Sequence, residues 1–333
     1  MTTDNLPDWS TGRVVSSTAV ARDVRRITVE RPARGRAAPG AHLDVRVPLG
    51  DAGDVRSYSV VESSDNGGQL TISVLGVPQS RGGSAFMHGL SPGDELVVTQ
   101  PLQNFPLRVG APRYVLLAGG IGITAVAEMA RVLRNVGADY TVVYVGRSRD
   151  RMAYVAELRE LHGDRLVLHV DAEGTPLEVA HLVRAVAEDP RRDATELYMC
   201  GPIRLMDAVR REWESAALPP ANLRYETFGS SGWFRPEEFV VRVPQRQVET
   251  TVRTDETLLD ALTRAGVDLM YDCRKGECGL CLLDVECVDG NLDHRDVFLS
   301  AAQQAGGRSV TTCVSRVASR TEGATPTLSL TLP

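Results

Sequence analysis

Four cysteines constrain the C-terminal part of this chain more than any other feature. Cys273, Cys278 and Cys281 follow the spacing C-x4-C-x2-C, and Cys313 comes after a gap of 31 residues. This spacing is typical of the thiolates that hold a plant-type [2Fe–2S] cluster. Zinc or unligated thiols remain as alternatives, although zinc sites favour two C-x2-C pairs and this segment has only one.

The residues around these cysteines fit the same interpretation. Gly276 and Gly279 lie between the ligands, where glycine lets the backbone turn sharply. Cys287 lies on the strand-like run 282–288 and is interpreted as a core thiol. His294 is assigned a structural role, because four cysteines already complete a cluster.

Length and charge limit the remaining possibilities. The 333 residues suggest two or three domains. The net charge of −6 argues against a nucleic-acid partner. Residues 236–333 contain 10 basic and 15 acidic residues, so nearly all of the negative charge lies in the cysteine-bearing segment. Neither a leader segment nor a membrane-spanning apolar run is recognisable, and we expect a cytoplasmic monomer.

Residues 1–108 are predicted to form an antiparallel β-barrel, because short alternating segments are separated by turn residues. Within it, alternation along the strand Arg56-Ser57-Tyr58-Ser59 puts Arg56 and Tyr58 on one face and Ser57 and Ser59 on the other. The turn Arg81-Gly82-Gly83-Ser84 precedes a helical segment. Backbone N–H groups at such a helix start, together with Arg81, predict a phosphate site.

Residues 109–228 alternate strands with helices and predict a doubly wound parallel sheet. A glycine turn follows the first strand, at the edge where such folds bind ligands. Cys200-Gly201-Pro202 follows another strand of the same sheet, so Cys200 is a candidate for lining a nicotinamide pocket. The glycine turn after the first strand contains Gly119, Gly120, Gly122 and Thr124, which are expected to bind the nucleotide.

Residues 229–235 are predicted to be a linker, since Gly229-Ser230-Ser231-Gly232 is small and flexible. Residues 236–333 then combine strand and helix patterns with the cysteine loop, which predicts an α+β plant-type ferredoxin domain. A helix is expected to start at Thr254-Asp255-Glu256. The charged loop residues Arg274, Lys275 and Glu277 are expected to contact an electron acceptor.

The order of these motifs resembles the phthalate dioxygenase reductase family along nearly the whole chain. The resemblance implies FMN in the barrel, NADH on the second domain and a [2Fe–2S] cluster in the third. It further implies that Arg56–Ser59, Val74 and Leu75 contact the flavin. At the position of Leu75, relatives often carry a lysine. Ser59, Cys200 and Glu226 would surround the hydride-transfer site, and Phe228 would lie near the flavin ring.

The resemblance also implies a function. Electrons would pass from NADH through FMN and the cluster, one at a time, to a Rieske-type oxygenase acting on a small aromatic or related compound. A cytochrome P450 is the alternative acceptor, and a redox-sensing binding module is a third hypothesis. Arg147 and Arg149 follow the second strand of the nucleotide domain, where they would suit the 2′-phosphate of NADPH, so the choice of nucleotide stays open.

Overall fold

The computed structural model describes residues 7–32, 35–49, 53–77, 82–228, 232–321 and 323–333. The chain divides into two compact units. The first comprises the described residues up to Gly201 together with Glu212–Glu226. The second comprises Pro202–Arg211 and the described residues from Thr227 onward. Arg81 and part of the predicted linker, 229–231, lie outside the described residues.

The first unit contains the predicted antiparallel barrel. Its elements are β1 (Trp9–Ala21), β2 (Val24–Glu30), β3 (Ala41–Val47), β4 (Asp54–Ser63), β5 (Gln69–Leu75), α1 (Gly83–Gly89), β6 (Glu95–Thr99) and β7 (Leu102–Gln103). The strand order is β4-β5-β2-β1-β6-β3-β7, and β3 also pairs with β4, which closes the barrel. Inward apolar residues such as Ile27, Leu43 and Leu70 form its core.

The first unit also holds the predicted parallel sheet. Its elements are β8 (Arg113–Gly119), α2 (Ile123–Asn135), β9 (Tyr140–Gly146), α3 (Val155–His162), β10 (Leu166–Val170), α4 (Val179–Ala187), β11 (Thr195–Cys200), α5 (Ile203–Ser215) and β12 (Leu223–Glu226). The strand order is β10-β9-β8-β11-β12, with all pairings parallel. β8 is buried along nearly its whole length, as expected for a strand covered on both faces. Residues 203–211 of α5 belong to the second unit.

The second unit has the mixed architecture predicted for residues 236–333. Its elements are β13 (Phe239–Val243), β14 (Val248–Val252), α6 (Leu258–Arg264), β15 (Leu282–Asp289), β16 (Asn291–Asp293), α7 (Ala301–Gly306), β17 (Ser309–Thr311), β18 (Arg316–Ala318) and β19 (Thr327–Thr331). The main sheet has the order β14-β13-β19-β15-β17, and β16 pairs with β18 separately. The cysteine loop connects α6 to β15.

Three local expectations are wrong. The pattern of residues 152–161 predicts a helix that starts at Met152. The helix α3 begins at Val155 instead, because Tyr154 takes a left-handed conformation with φ 65° that interrupts any earlier helix. Similarly, α6 is capped by Thr257 and not by Thr254: the Thr257 hydroxyl accepts a hydrogen bond from the backbone N–H of Asp260 at 3.0 Å.

The third concerns Cys287, which is exposed and is not a core thiol. An irregularity in the pairing of β15 with β19 falls between Val285 and Cys287. Such a bulge shifts the alternation of faces, and this shift explains the error. Among the described residues, no helix is both long enough and apolar enough to cross a membrane.

Candidate functional site

The structure brings two of the three predicted hydride-transfer residues into contact. Ser59 on β4 donates a hydrogen bond from Oγ to Oε2 of Glu226, the last residue of β12, at 3.4 Å. Cys200, the last residue of β11, is the register partner of Glu226 in the parallel sheet. The three residues are 4%, 2% and 1% exposed, respectively. Two strand ends of the parallel sheet and one barrel strand therefore form a single buried polar site.

The predicted glycine turn lies at the same edge of the sheet. A Cβ on Gly122 would lie 2.1 Å from the carbonyl oxygen of Cys200, so only glycine permits this close approach. Gly119 ends β8, and Gly120 has a positive φ of 55°. Thr124 is buried in the first turn of α2, where its hydroxyl donates to the Ile121 carbonyl at 2.9 Å. The 13-residue helix α2 thus starts at this edge, with an N-terminus that favours an anion.

The residues after Cys200 start the next helix. Gly201 is partly buried, and the carbonyl of Pro202 accepts the backbone N–H of Leu205 at 2.9 Å in the first turn. Phe228 belongs to the second unit and is partly buried. The contacts predicted for Gly201, Pro202 and Phe228 with cofactors stay predictions.

Arg56 has the properties expected of a phosphate or flavin ligand. Its Nη1 lies 2.6 Å from Asp54 and donates to the carbonyl of Val55 at 2.9 Å. Its Nη2 is buried and has no hydrogen-bond partner among the described residues. A Cβ on Gly83 would lie 3.0 Å from Arg56 Nε, so the guanidinium packs against the start of α1. A buried donor without a protein partner fits an anionic group, which would form a charge-assisted hydrogen bond.

The neighbouring predicted flavin contacts follow the alternation of β4 and β5. Ser57 is exposed and donates to Asp44 at 2.6 Å, whereas Tyr58 packs against the barrel core. Burial raises the pKa of Tyr58 to about 12, and the nearby charge of Arg56 offsets part of this effect. The Val74 side chain is also in the core, and its carbonyl accepts a hydrogen bond from the His88 ring at 3.0 Å.

The α1 turn and the end of β5 complete this region. Gly82 adopts a left-handed conformation with φ 91° and precedes α1. The Ser84 hydroxyl accepts the backbone N–H of Val77 at 3.2 Å. Leu75, the last residue of β5, is partly buried.

The four predicted cluster thiols converge in the second unit. Cys273 Sγ accepts the backbone N–H groups of Lys275 and Glu277, both at 3.4 Å. The pKa of Cys273 is lowered to about 4, chiefly because the Cys313 thiol hydrogen-bonds to it. Cys313 likewise lowers the pKa of Cys281 to about 6, and these pairings raise the pKa of Cys313 itself.

Cys278 belongs to the same group of thiols because its side chain hydrogen-bonds to that of Cys273. The four thiols thus form one connected group of contacts, as expected for four ligands of a single cluster. In the described part of the chain, no three Cys, His, Asp or Glu side chains surround the point that a single metal ion would occupy. The expected freedom of the two glycines is confirmed, since Gly276 and Gly279 both have φ 75°.

The loop is also anchored by a contact that the sequence did not reveal. Glu277 Oε1 accepts hydrogen bonds from the backbone N–H and the hydroxyl of Thr227, at 2.7 and 2.8 Å. The Lys275 carbonyl accepts the same hydroxyl at 2.8 Å. Arg274 pairs with Asp260. Arg274 and Glu277 thus form contacts within the protein, and the expected contacts of the three charged loop residues with an acceptor stay predictions.

The arginines after β9 are placed where an adenosine ribose is expected in doubly wound folds. Arg147 is exposed, and its carbonyl accepts the backbone N–H of Ala172 at 2.9 Å. Arg149 is held by two hydrogen bonds to Glu173, a residue that follows β10 and that the sequence analysis did not single out. The feature in the sequence that could have identified Glu173 is an acidic residue shortly after β10, the strand that pairs with β9.

Three parts of the chain match known domain families. Residues 11–106 match the oxidoreductase FAD-binding domain, residues 116–211 the oxidoreductase NAD-binding domain, and residues 241–318 the 2Fe-2S iron-sulfur cluster binding domain. The three matches follow the order of the barrel, the parallel sheet and the cysteine-bearing unit.

Several known proteins match nearly the whole chain. The chain is 36% identical over 301 residues to phenoxybenzoate dioxygenase subunit beta of Ectopseudomonas oleovorans, covering 89% of this chain and 90% of that protein. It is 28% identical to the crystal structure of phthalate dioxygenase reductase, with a TM-score of 0.70, covering 97% of this chain and 98% of that one.

An intact type IV self-sufficient cytochrome P450 monooxygenase is 33% identical, with a TM-score of 0.64. That match covers 97% of this chain but only 41% of the P450 chain. Flavin, nicotinamide and iron–sulfur domains are thus all present, and the protein is an NAD(P)H-dependent flavin and iron–sulfur oxidoreductase. The chain belongs to the phthalate dioxygenase reductase-like family, whose members serve as reductase components of oxygenase systems.

Proposed function

We propose that this protein transfers electrons from NADH, through FMN and a [2Fe–2S] cluster, to a separate Rieske-type oxygenase acting on a small aromatic or related compound. The observation that carries the proposal is the buried contact between Ser59 and Glu226. It joins the barrel, which has the flavin-binding pattern, to the carboxyl edge of the nucleotide-binding sheet within one compact unit. The cysteine loop supplies the outlet for single electrons.

The groups that this chain would hold divide the chemistry between them. When bound, a flavin accepts a hydride and an iron–sulfur cluster passes single electrons, so the protein itself supplies binding, orientation and electrostatics. Ser59 and Glu226 would fix the position of the nicotinamide and exclude water, since both are almost fully buried. Cys200 would support them from the neighbouring strand end.

FMN is proposed rather than FAD, although the matching domain family is described as FAD-binding. Beside the start of α1, Arg56 presents a buried N–H group that has no hydrogen-bond partner among the described residues, and its charge would bind a terminal phosphate monoester there. Gly82, Gly83 and Ser84 would complete this site, and Arg81 would add a second cation. Chromatography of the released cofactor distinguishes the two flavins, and recovery of FAD would contradict this part of the proposal.

Cys273, Cys278, Cys281 and Cys313 are proposed as the cluster ligands. The four thiols contact one another, and the backbone N–H groups directed at Cys273 would stabilise an anionic thiolate there. Purified protein should contain about two irons and two acid-labile sulfides per chain, because the plant-type site holds two irons.

A Rieske-type partner is supported by the relatives whose names identify them as dioxygenase components. A cytochrome P450 partner is the second candidate, because the 33% identical match is fused to a P450. Reconstitution separates the two candidates: NADH-dependent oxygen uptake should be restored by a purified Rieske oxygenase from a neighbouring gene. Restoration only by a P450 would overturn the first choice. Absence of NADH oxidation with ferricyanide would overturn the proposed function as a whole.

A further inference from the structure

The loops after β9 and β10 form a charged edge beside the nucleotide-binding turn. Val145 pairs with Gly119 of the turn, and Val170 pairs with Gly146, so all three strand ends lie at one edge. The backbone N–H of Ala172 donates to the carbonyl of Arg147 at 2.9 Å and ties the two loops together.

One ion pair crosses between these loops. Arg149 donates from Nε to Glu173 Oε1 at 3.0 Å and from Nη2 to Oε2 at 2.5 Å. This two-point geometry uses the Nε/Nη2 edge of the guanidinium, one of the two edges through which an arginine can bind a phosphate at two points. The hydrogen bonds raise the pKa of Arg149 and lower that of Glu173, so both groups are charged at neutral pH.

Most of the other charged side chains at this edge also form ion pairs or hydrogen bonds within the protein. Asp150 accepts Ser148 Oγ at 2.5 Å and pairs with Arg22 at 3.2 Å. Arg151 pairs with Asp23 at 2.9 Å. Arg147 and Asp171 are exposed, and neither forms an ion pair within the part of the chain that the structure describes.

We propose that Glu173 determines the choice between NADH and NADPH by holding Arg149 away from a 2′-phosphate. The neutral 2′-hydroxyl of NADH requires no cation at this edge. A 2′-phosphate would have to compete with Glu173 for Arg149, and the Glu173 carboxylate would repel it at close range. Glu173 would therefore select against NADPH. This inference rests on the proposed function, in which a pyridine nucleotide is the electron donor.

The test compares kcat/KM for NADPH and NADH with ferricyanide as the acceptor. Glu173→Gln should raise the NADPH-to-NADH ratio about five- to tenfold, because an exposed ion pair is weak and the repulsion adds to it. Asp171→Asn is the matched control, since it removes a carboxylate from the same turn without releasing an arginine, and it should leave the ratio unchanged. Adding Arg149→Ala to Glu173→Gln should remove the part of the gain that depends on the released guanidinium and lower the ratio below that of Glu173→Gln alone.

A binding measurement provides a readout that is independent of turnover. Calorimetric titration with NADP⁺ should show the same five- to tenfold tightening in Glu173→Gln relative to wild type. An unchanged ratio and unchanged NADP⁺ affinity in Glu173→Gln, or an equal gain in Asp171→Asn, would overturn the inference. A wild-type enzyme that prefers NADPH would also overturn it while leaving the electron-transfer function intact. If neither nucleotide reduced the protein, the proposed function itself would fail.

Discussion

The hydroxyl of Ser59 donates a hydrogen bond to the carboxylate of Glu226, a residue 167 positions later in the chain. The bond links a strand of the barrel to the last strand of the parallel sheet. Both side chains are almost fully buried, so their positions are set by packing on every side. We expect this pair to control the geometry of hydride transfer.

Replacing Ser59 with alanine should slow reduction of the flavin by NADH about 10- to 100-fold, because small losses of orientation have large effects on rate. Stopped-flow absorbance of the flavin measures this step directly. Thr18→Ala is the matched control, because Thr18 is exposed on another barrel strand, β1, and its replacement likewise removes one hydroxyl. Equal rates in wild type and Ser59→Ala would contradict the assignment.

Replacing Cys278 with serine should remove the cluster. Cytochrome c reduction should then be lost while ferricyanide reduction from the flavin continues, because only the last transfer requires the cluster. Cys287→Ser is the control, since Cys287 is exposed and lies outside the group of four. If the Cys278→Ser protein kept its iron and its cytochrome c activity, the ligand assignment would be wrong.

Replacing Arg56 with alanine should weaken flavin binding about tenfold or more, since a charge-assisted hydrogen bond to phosphate is lost. Flavin content after dilution and gel filtration measures the effect. Arg46→Ala serves as the control because Arg46 lies on the neighbouring strand and stacks on Trp9. Equal flavin retention in the two variants would count against Arg56 as a ligand.

The stability of the first unit should depend on pH through Glu128. Burial raises the pKa of Glu128 from 4.5 to about 7, with Arg36 opposing the shift and Glu62 adding to it. A carboxyl with a raised folded-state pKa contributes stability that is present below about pH 4.5 and lost as the pH rises through about 7.

Chemical unfolding between pH 5 and 8 tests this dependence. Relative to Glu128→Gln, the wild-type free energy of unfolding should fall as the pH rises through this window. Glu157→Gln is the control, because Glu157 is exposed on α3. Arg131 hydrogen-bonds to Glu128 at 2.6 and 2.7 Å and favours the ionised form. If these hydrogen bonds affect the pKa of Glu128 more than burial does, the wild-type free energy of unfolding will rise with pH relative to that of Glu128→Gln, and the prediction will be wrong.

Electron exit should depend on apolar side chains near the cluster loop. Leu280, next to Cys281, is 49% exposed, and Phe298, which packs against Gly279, is 44% exposed. Leu280→Glu should therefore slow transfer to the cognate oxygenase about tenfold, by analogy with central interface residues, while ferricyanide reduction stays the same. Val109→Glu is the control, because Val109 is also exposed but lies in the first unit. Leu280→Glu could instead leave the transfer rate unchanged while that rate falls steeply with rising salt. This result would favour a charged docking face over an apolar one.

The sequence by itself determined the architecture and most of the chemistry. Strand alternation predicted the barrel, the alternating strands and helices predicted the parallel sheet, and the spacing of Cys273, Cys278 and Cys281 predicted the cluster loop. These features depend on local periodicity and on short-range spacing, which a single chain displays directly. Gly276 and Gly279 were identified for the same reason, because a tight loop needs positive φ at fixed positions.

Tertiary structure alone decided which distant residues meet. How separate segments pack decides the Glu277 contact with Thr227 and the Arg149 pair with Glu173. It also leaves Arg56 Nη2 buried without a hydrogen-bond partner in the part of the chain that the structure describes. Cys287 shows the same limit, because its interpretation as a core thiol rested on residue type, and the sequence does not reveal the bulge on β15. Pairing partners and local irregularities are set by the free energy of the whole fold, and no local pattern in one sequence encodes them.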